Sequence, residues 1–271
     1  RRRSTTGGVD WDLRFLDQTY QFAGYLSTTH RRRTGVDPSP TTGYALRTEG
    51  GRVKGDWTYD LSVRLLTDTF NPNDVGRLRR NNFFRTSGSV RHQVNGGKPI
   101  GPFQEANGFL FVGQSWSYRN RLSRGLGFFS RFWVLTDGFR RLSVALNGDK
   151  LFGGYNLFET RGLWPRARPR TVGANVDAST DTRRSWTLKA ELGGGLRSDG
   201  QTSLSGELEA DWNVGDRLKF SGEVSYETER HAVEWASNES FVRQASGRWA
   251  IGESNTEPSD LNSEDHKPEI G

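Results

Sequence analysis

The sequence TSLSGELEADWNVGDRLKFSGEVSY, residues 202–226, decides the fold of this chain. On either side of its central segment, apolar residues or glycines alternate with polar residues, many of which are carboxylates. Successive side chains of a β-strand point to opposite faces, so this alternation predicts two antiparallel strands with one apolar and one charged face. The apolar face carries Leu204, Leu208, Ala210, Phe220 and Val224, and the opposite face carries Glu207, Glu209, Asp211, Lys219 and Glu223.

The same period of two recurs along most of the chain and predicts about twelve strands. The longer ones reach about ten residues, more than the five or six typical of soluble β-proteins and enough to cross a bilayer at a tilt. No run approaches the roughly 18–20 consecutive apolar residues of a membrane-spanning helix, so a helical membrane protein is excluded. The predicted strands are Val9–Phe15, Tyr20–Ser27, Tyr44–Thr48, Val53–Leu66, Phe84–His92, Ala106–Tyr118, Leu126–Leu135, Phe139–Leu146, Val172–Ala178, Trp186–Leu192, Thr202–Trp212 and Leu218–Tyr226.

The connections between these strands alternate in length, as in bacterial outer-membrane barrels, where turns on one side are short and loops on the other are long. We therefore predict an all-β fold, an antiparallel up-and-down transmembrane β-barrel, over residues 1–230. Residues 231–271 leave room for one more strand and end in a flexible acidic tail. The short connections are Asp17–Thr19, Glu49–Arg52, Thr136–Gly138, Ser179–Ser185 and Asn213–Arg217; the long ones are Thr28–Gly43, Thr67–Asn82 and Asn147–Thr171; Gln93–Glu105 is long where a short turn is due.

Composition narrows the classes of function. Aromatic residues make up 12% of the 271 residues and all hydrophobic residues only 32%, which fits strands that are apolar on one face and argues against a disordered chain. The absence of Cys excludes disulfides and thiol catalysis, and the absence of Met indicates an internal piece of a longer protein. The histidines lack metal-ligand spacing and no Gly-x-Ser-x-Gly motif occurs. We therefore predict no metal, cofactor or catalytic residue, and favour a protein without enzymatic activity.

Charged residues on the alternate face of the strands are expected to line the lumen of the barrel, because charges that face lipid are costly. Their acidic members would favour cations locally, although the chain carries a net charge of +6. Paired carboxylates could instead hydrolyse a glycosidic bond, which needs two of them about 5–9.5 Å apart, and this alternative stays open. The predicted lumen-lining residues are Lys54, Asp56, Asp60, Arg64, Lys189, Glu191, Glu207, Glu209, Asp211, Lys219 and Glu223.

Arginine-rich connections are expected in the outer loops, where guanidinium groups meet the phosphates of lipid and lipopolysaccharide. Between residues 67 and 82, turn-forming residues predict an ordered loop in which Asp74 pairs with a nearby arginine. Nucleic-acid binding is disfavoured, because the arginines fall in connections while the aromatics fall on the strand face that would meet lipid. The predicted outer-loop residues are Asn73, Asp74, Arg77, Arg79, Arg80, Arg166 and Arg168.

Three segments resemble loops of one bacterial family: FNPNDVGRLRRN at 70–81, RGLWPRARP at 161–169 and ASTDTRR at 178–184. This family is the large β-rich domain of unknown function that follows a family-nine-like carbohydrate-binding domain in proteins assigned to the outer membrane. The resemblance covers roughly Val9–Glu229. It implies a bacterial outer-membrane location, a signal peptide and carbohydrate-binding domain upstream, and further strands downstream. It carries over no catalytic residue, because the activity of the family is uncharacterised.

Three hypotheses of function follow. The leading one is a non-enzymatic outer-membrane β-barrel that acts as a channel, a transporter or a translocation-associated pore, with membrane lipid and lipopolysaccharide as its partners. The second is an outer-membrane or secreted protein that processes or binds carbohydrate, with a glycan as substrate; it rests on the resemblance. The third is a soluble β-rich binding module, which would show an internal repeat of about 20–50 residues, and the sequence shows none.

Overall fold

The computed structural model describes residues 2–33, 41–72, 81–94, 101–156, 166–214, 218–230, 241–243 and 249–251. All of its regular elements in these ranges are β-strands, and the chain divides into two units, Arg1–Ala232 and Val233–Gly271. The strands of the first unit are β1 (Arg2–Phe15), β2 (Tyr20–Arg33), β3 (Thr41–Arg52), β4 (Trp57–Leu66), β5 (Phe83–Val94), β6 (Phe103–Trp116), β7 (Ser123–Thr136), β8 (Arg141–Asp149), β9 (Gly154–Asn156), β10 (Arg166–Arg168), β11 (Thr171–Ser179), β12 (Trp186–Arg197), β13 (Thr202–Val214) and β14 (Leu218–Arg230). The second unit holds a short antiparallel pair, β15 (Phe241–Arg243) and β16 (Trp249–Ile251).

Twelve strands of the first unit form one antiparallel sheet in the order β1-β2-β3-β4-β5-β6-β7-β8-β11-β12-β13-β14. Each strand pairs with its neighbour in the chain, and the small β9–β10 hairpin is inserted between β8 and β11. The all-β, antiparallel, up-and-down prediction and the number of strands are thus confirmed. In the described residues β1 and β14 do not pair with each other, so the sheet is not closed into a barrel. Within the same ranges, no helix has the length and apolar character needed to cross a membrane.

The register of the sheet gives it two chemically different faces. Residues that pair across neighbouring strands point to the same side of a sheet, and here apolar residues pair with apolar residues. Leu46, Leu65 and Phe84 are successive partners on β3, β4 and β5, and Val144 pairs with Val176 between β8 and β11. We call this side the apolar face and the opposite side the polar face.

The sheet has almost no hydrophobic core of its own. Large side chains on the apolar face remain exposed in the described part of the chain, with exposed fractions of 65% for Leu61, 64% for Leu192 and 72% for Val224. Burial of apolar area is the main driving force of folding, so a face this large needs a cover. Among the described residues, the buried hydrophobic side chains are Ala45, Leu66, Phe70 and Val134.

Two predicted outer connections are much shorter than expected. β2 and β3 continue beyond the apolar alternation, so the connection predicted at Thr28–Gly43 shrinks to 34–40. The residue pairs that extend these two strands are polar; for example, His30 Nδ1 lies 3.0 Å from Thr42 Oγ1. They pair because backbone hydrogen bonds between strands do not require apolar side chains. The connection predicted at Gly193–Gln201, of intermediate length, also shortens, because β12 runs to Arg197 and 198–201 forms a tight turn in which Gly200 has a φ of +93°. The alternation of connection lengths is therefore weaker than predicted.

Candidate functional site

The polar face brings together the predicted lumen-lining residues, except Lys54 and Asp56. Asp60 and Arg64 lie on it in β4, Lys189 and Glu191 in β12, and the others in β13 and β14. Lys54 and Asp56 lie in the connection 53–56, where Gly55 has a φ of +102°, and Lys54 Nζ donates to the Asp17 carbonyl at 2.7 Å. The strand predicted to begin at Val53 begins instead at Trp57, because the left-handed glycine places the turn after Arg52.

One end of the polar face is acidic. In β12–β14, Lys189 Nζ lies 2.7 Å from Glu209 Oε2 and Lys219 Nζ lies 3.1 Å from Asp211 Oδ2. Glu223 is the register partner of Glu209. The lysines neutralise only part of the negative charge. We call this group the acidic stripe; it consists of Glu191, Glu207, Glu209, Asp211 and Glu223.

A second group on the polar face is basic. Arg64 is the register partner of both Arg47 and Arg85, so three arginines stand side by side on β3, β4 and β5. Directly opposed residues have Cβ atoms about 4.5–5.5 Å apart. We call these three residues the arginine row. Of the three, only Arg64 was predicted to line the lumen. Arg47 and Arg85 also occupy polar positions in the alternation of their strands. Their alignment with Arg64 depends on the strand register, which a single sequence does not reveal.

The arginine row is mostly unneutralised. Arg47 Nη2 pairs with Glu49 Oε2 at 2.8 Å, whereas no carboxylate of the described chain lies within ion-pair distance of Arg64 or Arg85. Instead the Cζ of Arg64 lies 5.3 Å from the centroid of the Phe83 ring, and that of Arg85 lies 5.7 Å from that of Phe111. The side chains of all three arginines are exposed.

The roots of the connection 67–82 fold onto the polar face, next to the arginine row. Phe70 is buried there against Ala45 and Leu66, which are register partners, and Tyr25 and Phe83 pack around them. The backbone N–H of Asn71 donates to Thr29 Oγ1 at 3.1 Å, and Asn81 Nδ2 donates to the Phe70 carbonyl at 3.1 Å. We call the cluster of Ala45, Leu66 and Phe70 with its two neighbours the Phe70 roof.

A glycine makes this packing feasible. A Cβ atom added to Gly43 would lie 2.2 Å from the backbone nitrogen of Phe70, closer than any side chain permits. The residues predicted to form the outer part of this loop lie outside the described residues, as does the predicted pairing of Asp74. These are Asn73, Asp74, Arg77, Arg79 and Arg80.

The other predicted outer-loop arginines lie in the β9–β10 hairpin. Arg166 pairs with Asn156 and Arg168 with Gly154 in its short ladder. The side chain of Arg168 is exposed. Both residues therefore lie in the connection between β8 and β11, and their assignment to an outer loop stays a prediction.

A clamp joins two turns at the other end of the sheet. Arg183 donates from Nε and Nη2 to the two Asp181 oxygens at 2.9 and 3.0 Å, and its backbone N–H donates to Oδ1 at 3.0 Å. The Arg183 guanidinium also lies 3.1 Å from the ring centroid of Phe139, in the neighbouring β7–β8 turn. These hydrogen bonds lower the pKa of Asp181 to about 2. Asp181 and Arg183 belong to the segment ASTDTRR at 178–184, and here they have a structural role.

Of the carboxylates considered for glycoside hydrolysis, Glu209 and Asp211 are held in lysine ion pairs. A hollow of about 680 Å³ is lined mainly by glycines and by aliphatic, hydroxyl and aromatic side chains around Gly194, with Arg230 as its one ionisable cation and no carboxylate. Within the described ranges no three His, Asp or Glu residues are grouped to hold a metal ion.

The fold and the site define a class: an antiparallel β-sheet protein with one exposed apolar face and one charged face. Residues 1–259 match the family described as domain of unknown function DUF5916, and the chain belongs to this family. The expectation of a large domain of unknown function is thereby confirmed. No curated protein and no solved structure matches the chain.

Proposed function

We propose that this chain forms the wall of a bacterial outer-membrane β-barrel that passes solutes across the membrane without catalysis, as a channel, a transporter or a translocation-associated pore. The observation that carries the proposal is the apolar face, which continues across all twelve strands and stays exposed. Lipid acyl chains are the cover that such a face fits, and the polar face then borders water.

The distribution of charge on the apolar face supports this assignment. Its charged residues stand at strand ends, such as Arg32 and Arg52 at the ends of β2 and β3, while the strand centres carry side chains such as Leu61 and Leu192. A Lys or Arg at the bilayer midplane costs about 2–4 kcal/mol but almost nothing at the interface. Charged residues at strand ends and apolar residues at strand centres are the distribution expected of a strand face in contact with lipid.

Aromatic pairs on the apolar face mark one edge of this band. At the end of the sheet where β1–β2, β3–β4 and β13–β14 connect, three aromatic pairs are register partners on neighbouring strands, two of them stacked and the third tilted. Their ring centroids are 6.4, 4.1 and 5.8 Å apart. Trp and Tyr are enriched at membrane–water interfaces because their rings are amphipathic. The pairs are Phe15–Tyr20, Trp57–His92 and Trp212–Phe220.

Strand length agrees with the same assignment. The shortest strands of the sheet, β8 and β11, have 9 residues, and β1, β2, β6 and β7 have 14. A tilted strand crosses the hydrocarbon core with about 9–11 residues. Every strand of the sheet is thus long enough to cross.

The test is to express the complete protein in a Gram-negative host and to examine the outer-membrane fraction. We expect the protein to require detergent for extraction, to migrate faster on a denaturing gel before boiling than after it, and to conduct ions in planar bilayers. A freely soluble monomer without a heat-dependent shift in mobility would overturn the proposal. A folded membrane protein that conducts nothing would retain the barrel and remove the pore.

A further inference from the structure

We propose that the arginine row, Arg47, Arg64 and Arg85, is a binding site for oxyanions, the carboxylate or phosphate groups of solutes that reach the polar face. The inference deepens the proposed function, because it names the chemical class of the solute that the pore would select. The inference rests on the proposed function only for the route by which the solute reaches the site, because the site itself is formed by β3, β4 and β5.

The first argument is the energetic cost of the row. Like charges directly opposite each other on neighbouring strands destabilise a sheet, and here two such pairs share Arg64. Elsewhere on the same face, Arg131 has polar partners within the sheet: its Nη2 lies 3.0 Å from Asp177 and its Nε donates to Ser143 at 2.9 Å. Arg64 and Arg85 have no such partner in the described chain, so an anion from outside would complete their coordination.

The second argument is the orientation of the guanidinium groups. Arg64 and Arg85 contact the rings of Phe83 and Phe111. Such contacts hold the planar group in place while its N–H edges remain free to donate. Two or three such donors match the paired oxygens of a carboxylate or a phosphate. The row is therefore organised for binding before the anion arrives.

The third argument is the location of the row. Arg64 and Arg85 stand two residues from Leu66 and Phe83 of the Phe70 roof, at which the connection 67–82 folds onto the polar face. The acidic stripe lies on β12–β14, remote in the strand order from β3–β5, and has its own lysines. A solute on this face meets a positive site beside the roof and a negative surface elsewhere.

The experiment measures binding on the folded, detergent-solubilised complete protein by calorimetry, with inorganic pyrophosphate, citrate and uncharged glucose as probes, in about 0.15 M salt. We expect the wild type to bind pyrophosphate or citrate and not glucose, with the preferred anion identifying phosphate or carboxylate as the natural group. The double variant Arg64→Gln/Arg85→Gln should bind that anion about tenfold more weakly or worse, because it loses charge-assisted bonds. Arg14→Gln is the matched control: Arg14 lies on the polar face of β1 and pairs with Asp12, which Gln21 also holds.

Each outcome decides the matter. Anion binding that is lost in the double variant and kept in Arg14→Gln supports the site. A wild type that binds neither anion, or a double variant that binds as tightly as the wild type, overturns it. If the double variant loses its heat-dependent gel shift, the single variants Arg64→Gln and Arg85→Gln take its place. Because binding is measured without a membrane, a protein that binds anions but conducts nothing would overturn the pore and leave the anion site standing.

Discussion

At the scale of single residues, the charged side chains of the turns and of the strands have different roles. Within the β11–β12 turn, Arg183 donates hydrogen bonds to Asp181, and its guanidinium also contacts the Phe139 ring in the β7–β8 turn. The pair therefore links two neighbouring hairpins. Two arginines of the row, Arg64 and Arg85, contact aromatic rings and have no carboxylate partner in the described chain. The clamp is thus neutralised within its own turn, whereas Arg64 and Arg85 of the candidate binding site are not.

The clamp predicts a pH dependence of stability. The pKa of Asp181 is about 2 in the folded protein and close to 3.8 without the clamp, so the unfolded chain binds the proton more readily. The stabilisation is thus fully present above about pH 4 and is lost as pH falls through about 2. We expect Asp181→Asn to lower the thermal midpoint near neutral pH and to match the wild type near pH 2.

A neighbouring aspartate provides the control for this measurement. Asp137 lies in the β7–β8 turn and makes no side-chain ion pair within the described chain. Asp137→Asn should leave the thermal midpoint nearly unchanged at every pH. An Asp181→Asn variant whose deficit persists undiminished to about pH 2 would show that the carboxylate is not the stabilising group.

At the scale of elements, adjacent positions of one strand face different surroundings. In β12, Leu192 pairs with Val176 and Gly206 on the apolar face, while Glu191 pairs with Asp177 and Glu207 on the polar face. One residue of displacement therefore separates a side chain that would meet lipid from a side chain among carboxylates. The contrast makes this strand a sensitive probe of the two faces.

We expect Leu192→Arg to prevent most of the protein from inserting, because an arginine near the bilayer midplane costs about 2–4 kcal/mol. Glu191→Arg, the matched control, adds the same side chain to the polar face, where it meets two carboxylates and should be tolerated. The measurement is the fraction of protein with a heat-dependent gel shift after folding into vesicles. Equal fractions for the two variants would show that the faces are not solvated differently.

At the scale of the whole molecule, local alternation was enough to predict the sheet but not its alignment. The pattern in 202–226 predicts β13 and β14 because each strand signals its own two faces. It could not predict that Arg47, Arg64 and Arg85 meet, because the register depends on turns such as 53–56, whose position is set by Gly55. Nor could it reveal the Phe70 roof, in which one aromatic residue of a connection packs against two strands.

Strand ends made of polar residue pairs are also hard to predict from the sequence. β2 and β3 extend through Thr and His residues whose pairing is recorded in backbone hydrogen bonds and not in hydrophobicity, so the outer connection between them was predicted too long. The charged faces were predictable from alternation, whereas the separation of arginines from carboxylates appears only when the strands are placed in order.

The central claim is that the two faces of this sheet meet lipid and water, and cysteine accessibility tests it most directly. The chain contains no Cys, so single replacements can be made at positions 207 to 211 in the complete membrane-embedded protein and probed with a charged, membrane-impermeant thiol reagent. The account predicts strong labelling of Glu207→Cys, Glu209→Cys and Asp211→Cys and weak labelling of Leu208→Cys and Ala210→Cys. Equal labelling at all five positions would contradict it, because β13 could not then lie in a membrane wall.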